Sequence, residues 1–256
     1  MMGFRVLLIK ELREQFRTNR FVAVAAVFIF FGILSPLTDR YMKEIFDAMG
    51  TQAGGMTFTV PPPSLNGAAA AILKNTSQFG IICALLLAMG SVAWEKERGT
   101  AGMILTKPAS RAAFLAAKLI AISLTLGFAT FLGCAFSYVY VLLLYPAPFS
   151  LAGYVAMVLL MWWVLVGLAA ITMLGSSLTR SAVAAAGIGF LAFLVSGIVG
   201  ALPVIGAYMP SSLGTIALDL VTGKDPGFVL GPILFNVVLV PALFAITWLT
   251  FRRQEL

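Results

Sequence analysis

Residues Trp94–Arg111 read W-E-K-E-R-G-T-A-G-M-I-L-T-K-P-A-S-R. Charge, Gly and Pro are packed here between two apolar runs long enough to cross a bilayer. Such a hinge cannot lie inside a hydrocarbon core, where charged groups are costly. It therefore marks a return to water between two spans, and the chain around it reads as a polytopic membrane protein. Gly99-Thr100 and then Pro108-Ala109-Ser110-Arg111 predict a helix–break–helix pattern. The short apolar piece between them would lie on the membrane surface and offer Met103 and Leu105 to a partner's groove, ringed by Glu95, Lys96, Glu97 and Arg98.

The composition of the whole chain agrees. Of 256 residues, 61% are hydrophobic and 11% charged, and the mean hydropathy is +1.01. A soluble domain carries roughly 25% charged residues. The net charge of +7 does not indicate nucleic-acid binding, because the basic residues sit beside apolar spans. Cys83 and Cys134 lie within apolar runs and read as small core residues, not a disulfide.

Outward from the hinge, spans are predicted at 21–37, 76–94, 112–144, 151–178, 182–202 and 228–251, with 95–111 as the loop between the second and third. Ser35-Pro36 ends the first, and the third is long enough to project beyond the bilayer. Residues 3–20 predict an amphipathic helix before the first span. Phe4, Leu8, Leu12 and Phe16 form its stripe, and Lys10, Arg13 and Arg17 lie on other faces, as in a helix lying in the headgroup plane. A charged region reaching Arg20 is too long for a cleavable signal peptide. Residues 38–75 and 203–227 are expected outside the cytoplasm. The first carries short helices near 39–49 and 64–74. The second is apolar but broken by Pro203, Gly206, Pro210 and Gly214, which fits a re-entrant or interfacial helical pair. The expected fold is an all-α, six-span membrane protein forming a single transmembrane domain.

Orientation follows from Lys and Arg. Arg5, Lys10, Arg13, Arg17 and Arg20 precede the first span. Lys96, Arg98, Lys107, Arg111 and Lys118 flank the hinge, and Arg180, Arg252 and Arg253 join them. Arg40, Lys43, Lys74 and Lys224 fall on the other side. This asymmetry places both termini in the cytoplasm.

Chemistry is sparse. The chain has no His, which removes the metal-dependent and serine types of intramembrane protease. The span centres hold no carboxylate or lysine, so proton- or ion-coupled transport lacks its usual groups. Gln78 and Asn236 read as helix–helix hydrogen bonders, Trp162-Trp163 as packing or belt residues, and Gly187, Gly189, Gly197 and Gly200 as close-packing positions within the chain or along a dimer seam. No metal site, no catalytic residue and no substrate-binding residue is predicted.

Two stretches carry a resemblance. L-L-I-K-E-L-R-E-Q-F-R-T-N-R at Leu7–Arg20, with Lys10, Glu11, Arg13 and Arg17, is similar to the amphipathic elbow helix of type-2 ABC exporter permeases. E-K-E-R-G-T, then L-T-K-P-A-S-R, then A-A-K at Ala116–Lys118 resembles their coupling loop. Relatives commonly have Leu after Gly-Thr, where Ala101-Gly102 stands here, and Gly before the Lys, where Ala117 stands. The resemblance implies an ATP-driven exporter subunit. Two permease chains would join two separate ABC ATPase chains in the cytoplasmic membrane. ATP and Mg2+ would bind those partners, since this chain has no G-x-x-x-x-G-K-[ST]. The implied coupling residues are Glu95, Lys96, Glu97, Arg98, Gly99, Thr100, Met103, Leu105, Pro108 and Arg111. Uncharged spans favour an apolar or amphipathic substrate. The competing expectations are an ATPase-binding anchor or signalling subunit, discriminated by substrate-responsive ATP turnover, and a secondary carrier, discriminated by dependence on an ion gradient.

Overall fold

Serines and glycines punctuate the helices. In a computed structural model, residues 2–50, 62–99, 110–146 and 149–254 are described. Helix α1 covers Met2–Arg17 and α2 covers Arg20–Gly50. Asn19, at φ 56°, turns the chain between them; an Asn side chain tolerates this left-handed conformation better than most. Helix α3 covers Leu65–Met89, α4 Ala93–Glu97, α5 Arg111–Leu144 and α6 Leu151–Leu178. Helix α7 covers Ala182–Gly200, α8 Pro210–Thr222 and α9 Leu230–Arg252, with a 3-10 turn at Gly206–Tyr208. Ser64, Ser110, Ser150 and Ser181 each cap a helix by accepting a backbone N–H three residues on, which satisfies a donor the helix leaves orphaned.

Six helical segments among the described residues are long and apolar enough to cross a membrane: Arg20–Met42, Leu65–Glu97, Arg111–Leu144, Leu151–Leu178, Ala182–Gly200 and Leu230–Arg252. All described regular structure is helical, so the chain is an all-α membrane protein.

The structure departs from the expected boundaries at several points. Pro36 does not end the first span, because α2 runs through it to Gly50. Pro removes one backbone donor, and the Ser35 hydroxyl beside it donates to the Phe31 carbonyl at 2.6 Å. The short helix expected near 64–74 and the span expected from Thr76 are one continuous helix, α3. The broken apolar stretch after α7 is helical, as a 3-10 turn followed by α8.

Three layers of buried residues run along the bundle. At one end, Ala68, Ile72, Cys134, Tyr154 and Met157 meet Ala217 and Val221 of α8. In the middle, Phe28 of α2 packs with Ala84, Leu126 and Leu165. At the other end, Val92, Phe114, Met173 and Phe251 are joined by Leu7 of α1. Both chain ends therefore lie at the end that carries the hinge, and α8 lies at the opposite end. Helices α2 and α5 approach most closely at Gly32 and Gly133. A Cβ at Gly32 would run into the Gly133 carbonyl, and one at Gly133 into the Phe28 carbonyl. Small residues at such a crossing let two backbones touch. Helices α5 and α6 are central, with 56% of their apolar windows buried, whereas α7 and α9 are peripheral at 11% and 17%.

Candidate functional site

The hinge begins with a break in the second span. Helix α3 stops at Met89, and the Ser176 hydroxyl of α6 takes up the loose backbone. It accepts from Val92 N at 3.1 Å and Ala93 N at 2.9 Å, and donates to the Met89 carbonyl at 2.8 Å. Gly90 is needed because a Cβ there would meet the Trp94 ring. Helix α4 then turns Glu95 and Lys96 to different neighbours, and Gly99 ends it at φ 67°, a conformation that Gly adopts without a side-chain penalty.

Glu95 faces α1 and α5. Its Oε1 accepts from Lys118 Nζ at 2.9 Å and Lys10 Nζ at 3.1 Å. Glu11 Oε1 accepts from the same two amines, at 3.0 Å from Lys118 and 3.3 Å from Lys10. Lys118 is 4% exposed, and Glu11 and Glu95 are 12% and 14% exposed. Two lysines and two carboxylates thus close a neutral quartet across three helices. A lysine this buried stays charged only when paired. At Lys10 burial acts to lower the pKa, but Glu11 and Glu95 together outweigh it and hold the amine above its ordinary value. One turn further along α1, Gln15 accepts from the Thr125 hydroxyl of α5. Glu11 and Gln15 are four apart on α1, and Lys118 and Thr125 are seven apart on α5, so each pair shares one helix face.

The sequence did not indicate which face of α1 meets the bundle. The Leu7, Glu11 and Gln15 face docks on the bundle, with Gln15 buried. Of the expected apolar stripe, Phe16 is exposed and Phe4, Leu8 and Leu12 are half-buried. Arg13 and Arg17 point away from the bundle and are exposed.

The other side of the hinge grips the chain's last residues. Lys96 donates to the Ser177 carbonyl and to Gln254 Oε1, and Gln254 Nε2 donates to the same Ser177 carbonyl at 2.9 Å. Arg111 donates to the Phe251, Arg252 and Gln254 carbonyls at 2.9, 2.9 and 3.0 Å. These carbonyls lie at and just beyond the end of α9, where helical i+4 partners run out; the Phe251 carbonyl also accepts from Gln254 N at 3.3 Å. The Phe251 ring is fully buried, and Phe114 stacks on it with ring centroids 5.9 Å apart. Both ends of the hinge are therefore anchored to α6, α9 or both. Glu97, Arg98 and Gly99 are exposed. Thr100, Met103, Leu105 and Pro108 lie outside the described residues.

Against known proteins, residues 5–217 match the family described as ABC-2 family transporter protein. The chain belongs to that family. It is 28% identical over 254 residues to the uncharacterized transmembrane protein YxlG of Bacillus subtilis (strain 168), covering 97% of each chain. This family is the membrane component of a transporter and not itself catalytic, and membership implies association with an ABC ATPase subunit. The matched region contains the whole quartet. Phe251 and Gln254 lie beyond it.

Lys118 carried only topological weight and a family likeness in the sequence; its burial between two carboxylates was not foreseen. A lysine within a long apolar helix is the signal that points to such a role. Gln254, Phe251 and Ser176 had no comparable signal. Asn236 does what was expected of it: its side chain donates to the Tyr208 carbonyl at 3.1 Å, tying α9 to the 3-10 turn.

Proposed function

We propose that this chain is the permease subunit of an ATP-driven exporter, with α1 as elbow helix and residues 95–111 as the loop that couples it to a separate ATPase. The observation that supports this most directly is the quartet. Lys10 and Glu11 of α1 meet residues from both flanks of the hinge, Glu95 before it and Lys118 after it. Any displacement of the hinge by a bound ATPase is thereby carried to α1 and to the start of α5. The clasp at Phe251 and Gln254 carries it to α6 and α9 as well. Buried charge pairs have sharp distance dependence in a low dielectric, so the connection is stiff.

In this reading the hinge and both termini face the cytoplasm, and α8 faces outward. Two copies of the chain work with two ATPase chains, which bind ATP and Mg2+. Helix α7 is the face available to the second copy or to lipid: Val183 and Ile198 are exposed, and a Cβ added at Gly187 or Gly197 would meet nothing within 4 Å. The substrate is apolar or amphipathic, moved by alternating access.

The decisive experiment targets the hinge. Met103→Asp with Leu105→Asp is expected to abolish copurification of the ATPase while the chain still inserts. Interface anchors of this kind cost ~2 kcal/mol or more, roughly thirtyfold in affinity. Lys224→Glu, at the opposite end, leaves the ATPase bound. Full ATPase retention by the hinge variant would refute the docking site.

A further inference from the structure

A cavity of about 970 Å3 opens between α1 and the hinge ends of α3, α4 and α5. Its wall is mixed. Val6, Leu87, Trp94 and Ile122 are its apolar lining, and Glu14, Arg20 and Arg98 join the quartet as its charged lining. The quartet closes its own charge, two cations against two carboxylates. Glu14, Arg20 and Arg98 form no ion pair among the described residues, which leaves a positive surplus facing the cavity. Arg20 is held in place, its guanidinium 4.7 Å from the centre of the Trp94 ring. A second depression of about 740 Å3 shares the Val6, Lys10, Glu14 and Thr18 rim and adds Arg13 and Arg17. Just outside, α1 exposes Val6, Ile9 and Phe16.

We infer that this cavity binds one anionic phospholipid, with its phosphate between Arg20 and Arg98 and an acyl chain along Val6, Leu87, Trp94 and Ile122. The chemistry selects this occupant. An anion alone would leave the apolar lining in water, which is unfavourable in proportion to its area. A zwitterionic lipid would gain little from the surplus of arginine. A phospholipid with net negative charge satisfies both linings, and basic clusters beside a span attract such lipids. The exposed apolar residues of α1 give its chains a continuous path to the bilayer. The inference rests on the chain being a membrane protein and holds whether or not it moves a substrate. Its consequence is local: the lipid would bridge α1, the start of α2 through Arg20, and the last helical turn before Gly99 through Arg98.

The test is intact mass spectrometry of the full-length protein released from detergent, with equimolar phosphatidylglycerol and phosphatidylcholine. One phosphatidylglycerol per chain is expected to persist, with a preference of roughly fivefold, as the one net positive charge of Arg20, Arg98 and Glu14 near a lipid surface provides. Arg20→Gln with Arg98→Gln should remove the preference. Arg20→Lys with Arg98→Lys should largely keep it, as should Arg180→Gln with Arg253→Gln. If the neutral variant fails to fold, phosphatidylglycerol with brominated chains still reports on the wild type. It should quench tryptophan fluorescence more than brominated phosphatidylcholine does, and Trp94→Phe should abolish that difference. Equal retention of the two lipids, displacement of phosphatidylglycerol by inorganic phosphate, or its loss whenever an ATPase copurifies would each overturn the proposal. The last outcome would make the cavity a protein-docking face.

Discussion

Lys118 is the residue on which the hinge end turns. It sits eight positions into a 34-residue helix, almost without solvent, and its charge is tolerated because Glu11 and Glu95 lie at 3.0 and 2.9 Å. Removing one member of a buried charge group leaves the others uncompensated, which costs about 3–5 kcal/mol. Lys118→Met is therefore expected to release α1, seen as faster hydrogen exchange over residues 2–17 and a lower unfolding temperature. Adding Glu11→Gln should recover part of the loss, since it leaves Lys10 and Glu95 as a neutral pair. Exchange at α1 unchanged in Lys118→Met would show that the quartet does not hold it. Lys10 makes a smaller, pH-dependent contribution. Its folded pKa is raised above the ordinary 10.5, so its stabilisation is complete below that value and disappears as the pH climbs through the raised one. In detergent, the drop in unfolding temperature on going from pH 10 to about 12 should be smaller in Lys10→Gln than in the wild type.

At the scale of elements, glycines decide how near two helices come. Gly32 and Gly133 allow α2 and α5 to touch through their backbones. Gly32→Leu must push them apart, and overpacking of this kind costs about 1–3 kcal/mol. Gly214 in α8 has open space around it. Gly214→Ala should be neutral or stabilising, by roughly 0.5–1 kcal/mol from helix propensity. Thermal unfolding followed by tryptophan fluorescence separates the two; a milder effect for Gly32→Leu than for Gly214→Ala would contradict the packing described. Helix α1 teaches a related lesson. Glu11 and Gln15 dock with Leu7 because Lys118 and Thr125 on α5 supply what they need, and Val6, Ile9 and Phe16 are left exposed.

For the molecule as a whole, the layering along the bundle puts both termini and the hinge at one end and α8 at the other. Under the positive-inside rule, the hinge end is expected to be the cytoplasmic one. In a background lacking Cys83 and Cys134, Lys224→Cys should react with an impermeant maleimide from outside intact cells. Arg180→Cys should react only after permeabilisation. The opposite pattern would invert the topology and remove the hinge from any cytoplasmic ATPase.

The six apolar segments were legible from composition alone, since a hydrocarbon core admits only helices that satisfy their own backbone. The hinge was legible because charge, Gly and Pro cannot be placed in that core. Where the helices end was less so: Pro36 looked like a stop, yet α2 continues past it with Ser35 hydrogen-bonded beside it. The rotation of α1 and the partners of Lys118 were decided by tertiary structure. Glu11 is 107 residues from Lys118, and Glu95 is 23. Such pairs depend on which faces two helices turn toward each other. Hydrophobic periodicity describes the apolar side of a helix, and in a membrane that side is equally at home against lipid or protein. The same limit hid Arg111 and Gln254, whose bonds exist because α9 ends where the hinge begins, a proximity set by packing and carried by no local pattern.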